Sequence, residues 1–133
     1  MTRINVIEPA LLSDKHLGAE YRELPRIFGL VKRAIGRGVV AVEARSIAPT
    51  EYTLGRGHCL FFYTRLAWLQ HRYGLLVTEC AKRGRVVNHP MLSTDGISGA
   101  WFNWWEVTER ARRMNLARIA ERGGLRVAVT RGV

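Results

Sequence analysis

The stretch Tyr21-Arg22-Glu23-Leu24-Pro25-Arg26 sets one carboxylate among guanidiniums. On a helix, Arg22 and Arg26 lie four apart and share a side, and Glu23 precedes Arg26 by three. Flanking cations lower a carboxyl pKa, so Glu23 is expected to stay ionised at neutral pH. An ionised carboxylate in such a place can stabilise a cationic intermediate and assist proton transfers. The same spacing also occurs in ordinary solvated ion pairs, which contribute little.

A second candidate group is an amine. Schiff-base chemistry at a sugar carbon needs a neutral amine as nucleophile. The lysines are poor candidates: Lys15 falls in a first helical turn, Lys32 adjoins Arg33, and Lys82 adjoins Arg83. A chain α-amine has an unperturbed pKa of about 7.7–8.0, against about 10.4 for lysine, and is partly neutral without tuning. Thr2 is small, a residue type that permits removal of an initiator methionine, which would expose the amine of Thr2 with Arg3 beside it. Taken alone, Thr2 reads more simply as an ordinary start residue.

Other chemistries find little support. Cys59 and Cys80 form no CxxC, and His16, His58, His71 and His89 show no HxxxH, so no metal site is expected. Neither GxxxxGK nor GxGxxG occurs. Two cysteines are too few for a disulfide framework, which fits a reducing, cytoplasmic setting. The 133 residues suit one domain. With 47% apolar and 24% charged residues the composition is that of a folded chain. No apolar run nears the ~20 residues of a membrane helix, and Met1–Glu8 lacks a basic-then-apolar leader pattern. Secretion and membrane association are not expected.

The net charge is +10, and eighteen of the 21 basic residues are arginine. Arginine's planar fork suits bidentate phosphate contacts. A polyanionic partner is expected, nucleic acid first.

The elements that must position these groups are helical. Ser13 is a fitting N-cap, Asp14 suits the first turn, and Leu12 and Leu17 have staple spacing. Leu17, Tyr21, Leu24, Phe28, Val31 and Ile35 then mark one face of a helix from about Ser13 to Arg37, with a kink expected near Tyr21–Pro25. Val39–Val42 reads as a short extended piece, followed by loop through Gly57. Phe62, Leu66, Leu69, Tyr73, Leu76 and Cys80 predict a second helix from about Cys59 to Arg83. Residues 85–106 read as a long connection. A third helix spans about Val107 to Arg122; its apolar stripe is poor, and its arginines suit either a solvated or a phosphate-facing surface. The expected fold is all-α: one domain of three main helices with long irregular connections.

Two blocks carry a resemblance. Met1-Thr2-Arg3-Ile4-Asn5 with His16-Leu17-Gly18-Ala19-Glu20-Tyr21-Arg22-Glu23-Leu24-Pro25-Arg26-Ile27-Phe28-Gly29 is the first. Leu54-Gly55-Arg56-Gly57-His58, Phe61-Phe62-Tyr63, Arg65-Leu66, Glu79-Cys80 and Lys82-Arg83-Gly84 make the second. Together they resemble the pyrimidine-dimer DNA glycosylase/AP lyase family over about two thirds of the chain. The resemblance implies a monomeric, metal-free and cofactor-free enzyme acting on damaged double-stranded DNA. It would excise ultraviolet-induced cyclobutane dimers through an imine on the sugar, nick the strand by β-elimination, and flip a base opposite the lesion. Residue by residue, Thr2 would supply the amine and Glu23 the catalytic carboxylate. Arg3, Arg22 and Arg26 would hold phosphate and sugar, and His16 and Tyr21 would line the pocket. Arg118 would meet a phosphate, and Arg56, between two glycines, is a further DNA-binding candidate. The phage-type enzymes end in aromatic residues linked to lesion recognition; this chain ends Leu125–Val133 without any. It carries Trp101-Phe102-Asn103-Trp104-Trp105 instead, which reads as a hydrophobic plug or as a stacking surface for bases. The alternative reading is a basic helical DNA binder without catalysis.

Either reading predicts salt-sensitive binding. With roughly 5–8 phosphate contacts, log affinity for duplex DNA falls against log salt with a slope of about −4.5 to −7 in a titration series.

Overall fold

In a computed structural model of the chain, residues 2–127 are described. A 3₁₀ turn (Pro9–Leu11) leads into α1 (Asp14–Glu23), α2 (Pro25–Gly36), α3 (Ala41–Ile47), α4 (His58–Phe62) and α5 (Leu66–Lys82). A second 3₁₀ turn (Gly99–Trp101) precedes α6 (Glu109–Glu121). The fold is all-α. The only extended pairing among the described residues is a single antiparallel bridge, Leu12–Leu125.

The first predicted helix is two helices. Ser13 caps α1, its Oγ accepting the His16 N–H at 3.2 Å. Pro25 has no N–H to give the Tyr21 carbonyl, so α1 ends at Glu23 and α2 starts on the proline. Leu24 between them keeps right-handed helical dihedrals (φ −54°, ψ −42°), so the apolar stripe stays nearly in phase across the break. Leu17, Leu24, Phe28 and Val31 are buried, with Ile27 and Ala34 added. Arg22 and Arg26 therefore lie on different helices.

The second predicted helix is also divided, at Tyr63-Thr64-Arg65. Side chains compete for its carbonyls. Arg65 Nη1 donates to the Phe61 carbonyl at 2.6 Å, and Asn103 Nδ2 donates to that of Thr64 at 2.8 Å. All six stripe residues, Phe62 to Cys80, are nevertheless buried. Val39–Val42 is not a strand: Val40 is the extended N-cap of α3, which buries Ala41 and Ala44. Among the described residues no neighbouring strand offers it a ladder.

The centre of the molecule is unusual in what it encloses. The N-terminal segment runs through it as a strap, with Thr2, Ile4, Asn5, Val6 and Ile7 all buried. A strap of single extended chain must find partners for its backbone groups, since each buried orphan is costly. They are side chains. Glu20 on α1 takes the Asn5 N–H at 3.2 Å and Asn5 Nδ2 at 2.9 Å. Asn115 Oδ1 on α6 takes the N–H groups of Val6 (2.7 Å) and Ile7 (3.2 Å), while its Nδ2 donates to Asn5 Oδ1 (2.8 Å). Arg72 on α5 donates through Nη1 to the Ile7 carbonyl at 2.5 Å. Tyr52 donates its hydroxyl to the Ile4 carbonyl at 2.8 Å.

Arg72 and Glu20 hold each other by a two-point contact, Nε to Oε2 at 2.8 Å and Nη2 to Oε1 at 2.9 Å. Their side chains are 2% and 1% exposed. Asn115 also accounts for the weak stripe of α6: it stands between Ala111 and Ile119 on the buried face.

Replacing Arg72→Ala leaves Glu20 buried without its cation. The expected loss is about 3–5 kcal/mol, read by urea unfolding at pH 7.

Candidate active site

The strap delivers Thr2 and Arg3 to the surface formed by the end of α1, the α4 turn and α6. Thr2 is 9% exposed. It lines a cavity of about 560 Å³ together with Ile47, Pro49, Arg56, Gly57 and Tyr63. Cys59 Sγ approaches the Thr2 carbonyl at 3.6 Å. Arg56 is thus brought to the same cavity as Thr2. Its neighbour Gly57 has φ +88°, and a Cβ there would meet Pro49 Cγ at 2.7 Å, so the turn needs glycine.

Arg3 stands at the centre of the charged cluster. Burial lowers its pKa, and the nearby charges of Arg118 and Arg122 lower it further; Tyr52 and Glu23 act the other way. The guanidinium stays protonated, being far too basic to lose its proton. Its Nη1 is buried and has no hydrogen-bond partner among the described residues. Arg118, Arg122 and Glu23 thus all lie close enough to Arg3 for their charges to act on it. Arg118 has a loose contact to Glu121 at 3.7 Å. Arg122 is a site residue that the sequence reading missed; it lies one helical turn beyond Arg118, a spacing that α6 itself makes legible.

Glu23 ends α1 and is half-buried. The expected pairing with Arg22 and Arg26 does not form: neither ion-pairs with Glu23 among the described residues. The break at Leu24 moves Arg26 to α2. Arg22 turns instead toward Gly18, where the guanidinium of Arg85 also converges: an added Cβ would lie 3.1 Å from Arg22 Nη1 and 2.7 Å from Arg85 Nη2. Arg85 is a second addition to the basic face. It lies in a connection without helical periodicity, so no spacing pointed to it. The cation that acts on Glu23 is Arg3.

Tyr21 is drawn away from the strap. It stacks on Tyr73, with centroids 5.6 Å apart and planes 14° apart. Its hydroxyl accepts the His89 N–H at 3.1 Å. With Arg22, Pro25, Tyr73, Met91 and Leu92 it lines a cavity of about 390 Å³. His16 is placed differently again. It sits at the start of α1, tied to Ser13 Oγ through Nδ1 (3.1 Å) and set against Gly124, where a Cβ would meet its ring at 2.8 Å. No hydrogen bond joins His16 to Thr2, Arg3 or Glu23 among the described residues. Arg26 is exposed on α2. The fate of Met1 and the sequence beyond Val127 lie outside the described residues.

His58 was not singled out as a site residue by the sequence reading, yet it fixes the strap next to Thr2. Its Nε2 accepts the Ile4 N–H at 2.8 Å, and Nδ1 faces the Thr53 carbonyl at 2.6 Å. Only the neutral ring with the proton on Nδ1 satisfies both. Burial lowers its pKa, and the Arg3 charge adds to this, against the Thr53 carbonyl and Glu20.

A helical domain that encloses its own N-terminal segment and brings Arg3 near Glu23, Arg118 and Arg122 fits the resemblance stated above. The sequence profile of the pyrimidine dimer DNA glycosylase family matches residues 1–93, and the chain belongs to that family. It is therefore a DNA repair glycosylase directed at pyrimidine dimers, with damaged DNA as its partner. The match takes in the strap, α1 to α5, Glu23 and Arg56; Trp101–Trp105 and α6 lie beyond it. Among the described residues no helix is long and apolar enough to cross a membrane. Among them, too, no three His, Cys, Asp or Glu side chains gather as metal ligands would.

The sign of the pH dependence follows from His58. Its folded pKa is below the unfolded value of about 6.5, so the unfolded chain binds the extra proton. The stability it contributes is complete above about pH 6.5 and declines as pH falls below that. Thermal unfolding from pH 7 to 5 should show this slope, and His58→Gln should reduce it.

Proposed function

We propose that the amine of Thr2, freed by loss of the initiator methionine, attacks C1′ of the deoxyribose on the 5′ side of the dimer. A bond forms from the amine nitrogen to C1′, and the glycosidic bond breaks with its electron pair leaving on the pyrimidine, which is protonated. Opening of the sugar gives an imine. Loss of a proton from C2′ then expels the 3′ phosphate by β-elimination, which makes the protein an AP lyase as well as a glycosylase. No metal or cofactor enters the scheme.

The observation that carries this reading is the family match over residues 1–93, which takes in Thr2 and Glu23; beside it, the Glu23 charge acts on Arg3, the neighbour of Thr2. In this scheme Glu23 stabilises the cationic charge of the sugar and imine as they form and carries protons. Arg3, Arg118 and Arg122 supply positive charge for a phosphate. Arg56 at the Thr2 cavity, Arg22 with Arg85, and Arg26 extend the contact along the strand. The separate cavity at Tyr21, Arg22, Pro25 and Tyr73 is an aromatic-lined receptacle beside the end of α1. It suits an extruded base, because a poorly stacked damaged site costs less to distort than normal duplex. His16, held at the far end of α1, acts from the margin of this surface.

The test is borohydride trapping on irradiated duplex DNA. A covalent protein–DNA band is expected, and acetylation of the N-terminal amine should abolish it. No band on either dimer-containing or abasic DNA would leave a binder without catalysis. Glu23→Gln should bind irradiated DNA as the parent does while strand cleavage falls by at least about 100-fold. Cleavage at the full rate would remove Glu23 from the mechanism.

A further inference from the structure

The tryptophan cluster before α6 splits into two parts. Trp101 is 3% exposed, and Trp105 stacks on Tyr52 with centroids 6.1 Å apart. These are plug residues. Trp104 is different: it is 51% exposed. Its indole is held from two sides, Nε1 donating to Glu106 at 2.9 Å and His71 meeting it edge-on at 5.2 Å. An exposed aromatic that is already fixed loses little freedom when something stacks on it.

Beside Trp104 is a polar cavity of about 330 Å³, lined by Arg45, Thr64, Arg65, Asn103 and Trp104. It shares no lining residue with the Thr2 cavity or the Tyr21 cavity. Neither Arg45 nor Arg65 ion-pairs with a carboxylate among the described residues. Arg65 is anchored, with Nη1 on the Phe61 carbonyl (2.6 Å) and its guanidinium 3.9 Å from the Phe61 ring centroid. Burial lowers its pKa, and the charge of Arg45 lowers it further, so the two guanidiniums repel. Thr64 and Arg65 also immediately precede the seventeen-residue α5, whose first turn has no side-chain cap. Its free N–H groups add positive potential at the same end. Two like charges held together without a counter-charge are destabilising unless an anion joins them.

The geometry points to a second nucleic-acid subsite, in which Arg45 and Arg65 hold one phosphate of a single strand and Trp104 stacks on the adjoining unpaired base. Guanidinium pairs recognise phosphate by their forked donors. Aromatic platforms take any base, because every base presents a π-face. Glu106 lies on the N–H edge of the indole and leaves the stacking to the ring faces. The Trp104 side of this subsite falls outside the stretch that matches the glycosylase family. The inference does not rest on the amine chemistry.

The probe is a short oligothymidylate titrated against tryptophan fluorescence. Trp104 is the most exposed of the four indoles, so stacking on it should quench emission, and Trp104→Phe should remove most of the quench. Trp104→Ala should weaken binding at least about fivefold. Arg45→Ala, which breaks no side-chain hydrogen bond among the described residues, should lower the log–log salt slope by roughly 0.7, one single-strand phosphate. An oligomer of tetrahydrofuran spacers, which has the phosphates but no bases and cannot form an imine, should bind with no quench and at least about fivefold more weakly. Equal binding of thymidylate and spacer, or unchanged binding by both Trp104→Ala and Arg45→Ala, would overturn the subsite. Borohydride trapping by the same variants reports separately on the repair chemistry, so either reading can fall without the other.

Discussion

The ion pair between Glu20 and Arg72 is the contact on which the working surface depends. Two charges removed from water carry a large desolvation cost, and their attraction offsets it only when geometry is good and the remaining valences are filled. Here they are filled by the strap: the Asn5 N–H and Nδ2 meet the carboxylate, and the Ile7 carbonyl meets the guanidinium. The pair and the strap each complete the other's hydrogen bonds. An apolar core of the same volume would give comparable stability, but it would not specify where a single extended segment sits. Position matters here more than energy. The strap leads to Thr2 and Arg3, and its side-chain hydrogen bonds fix their register.

The arginines divide by partner. Arg112 with Glu8, Arg83 with Asp14 and Glu79, and Arg113 with Glu109 are neutralised locally. Arg118 and Arg122 act on Arg3 with like charge, and Arg22 meets Arg85 above Gly18. Concentrated like charge opposes folding and favours a polyanion. The tight internal network around the strap resists that repulsion, so the basic face can keep its charge unpaired until DNA supplies the phosphates. The net charge of +10 is thus a statement about a surface, not an average over the molecule.

Much of this was legible beforehand. Both apolar stripes were read correctly, because helical periodicity survives a short break that keeps near-helical dihedrals, as at Leu24. Pro25 announced the first break. The second was hidden, since it depends on Arg65 and Asn103 reaching carbonyls, and no spacing rule encodes that. Val39–Val42 looked extended because its residues favour strands, yet a strand needs a neighbour and none was present among the described residues. At the site, Thr2, Arg3 and Glu23 were named from chemistry and resemblance. Glu20, Arg72, Asn115 and His58 were not named, because a lone polar residue within a helix or turn gives no sign of burial. Their partners in the strap lie 15 to 110 residues away. Arg22 and Arg26 were assigned to Glu23 by sequence proximity, but Arg22 turns toward Gly18 and neither ion-pairs with Glu23 among the described residues.

The hydrogen bond from Val6 to Asn115 spans 109 residues and carries a consequence for biosynthesis. Asn5 to Ile7 are synthesised long before the helix that grips them. Until α6 arrives, Asn5 to Ile7 lack part of their hydrogen bonding, and the nascent chain must keep this opening segment loose or held only by α1 and α5. Maturation is consequently late and abrupt: a truncated translation product would carry every catalytic side chain proposed here and still hold its leading end without the clasp that sets it in place.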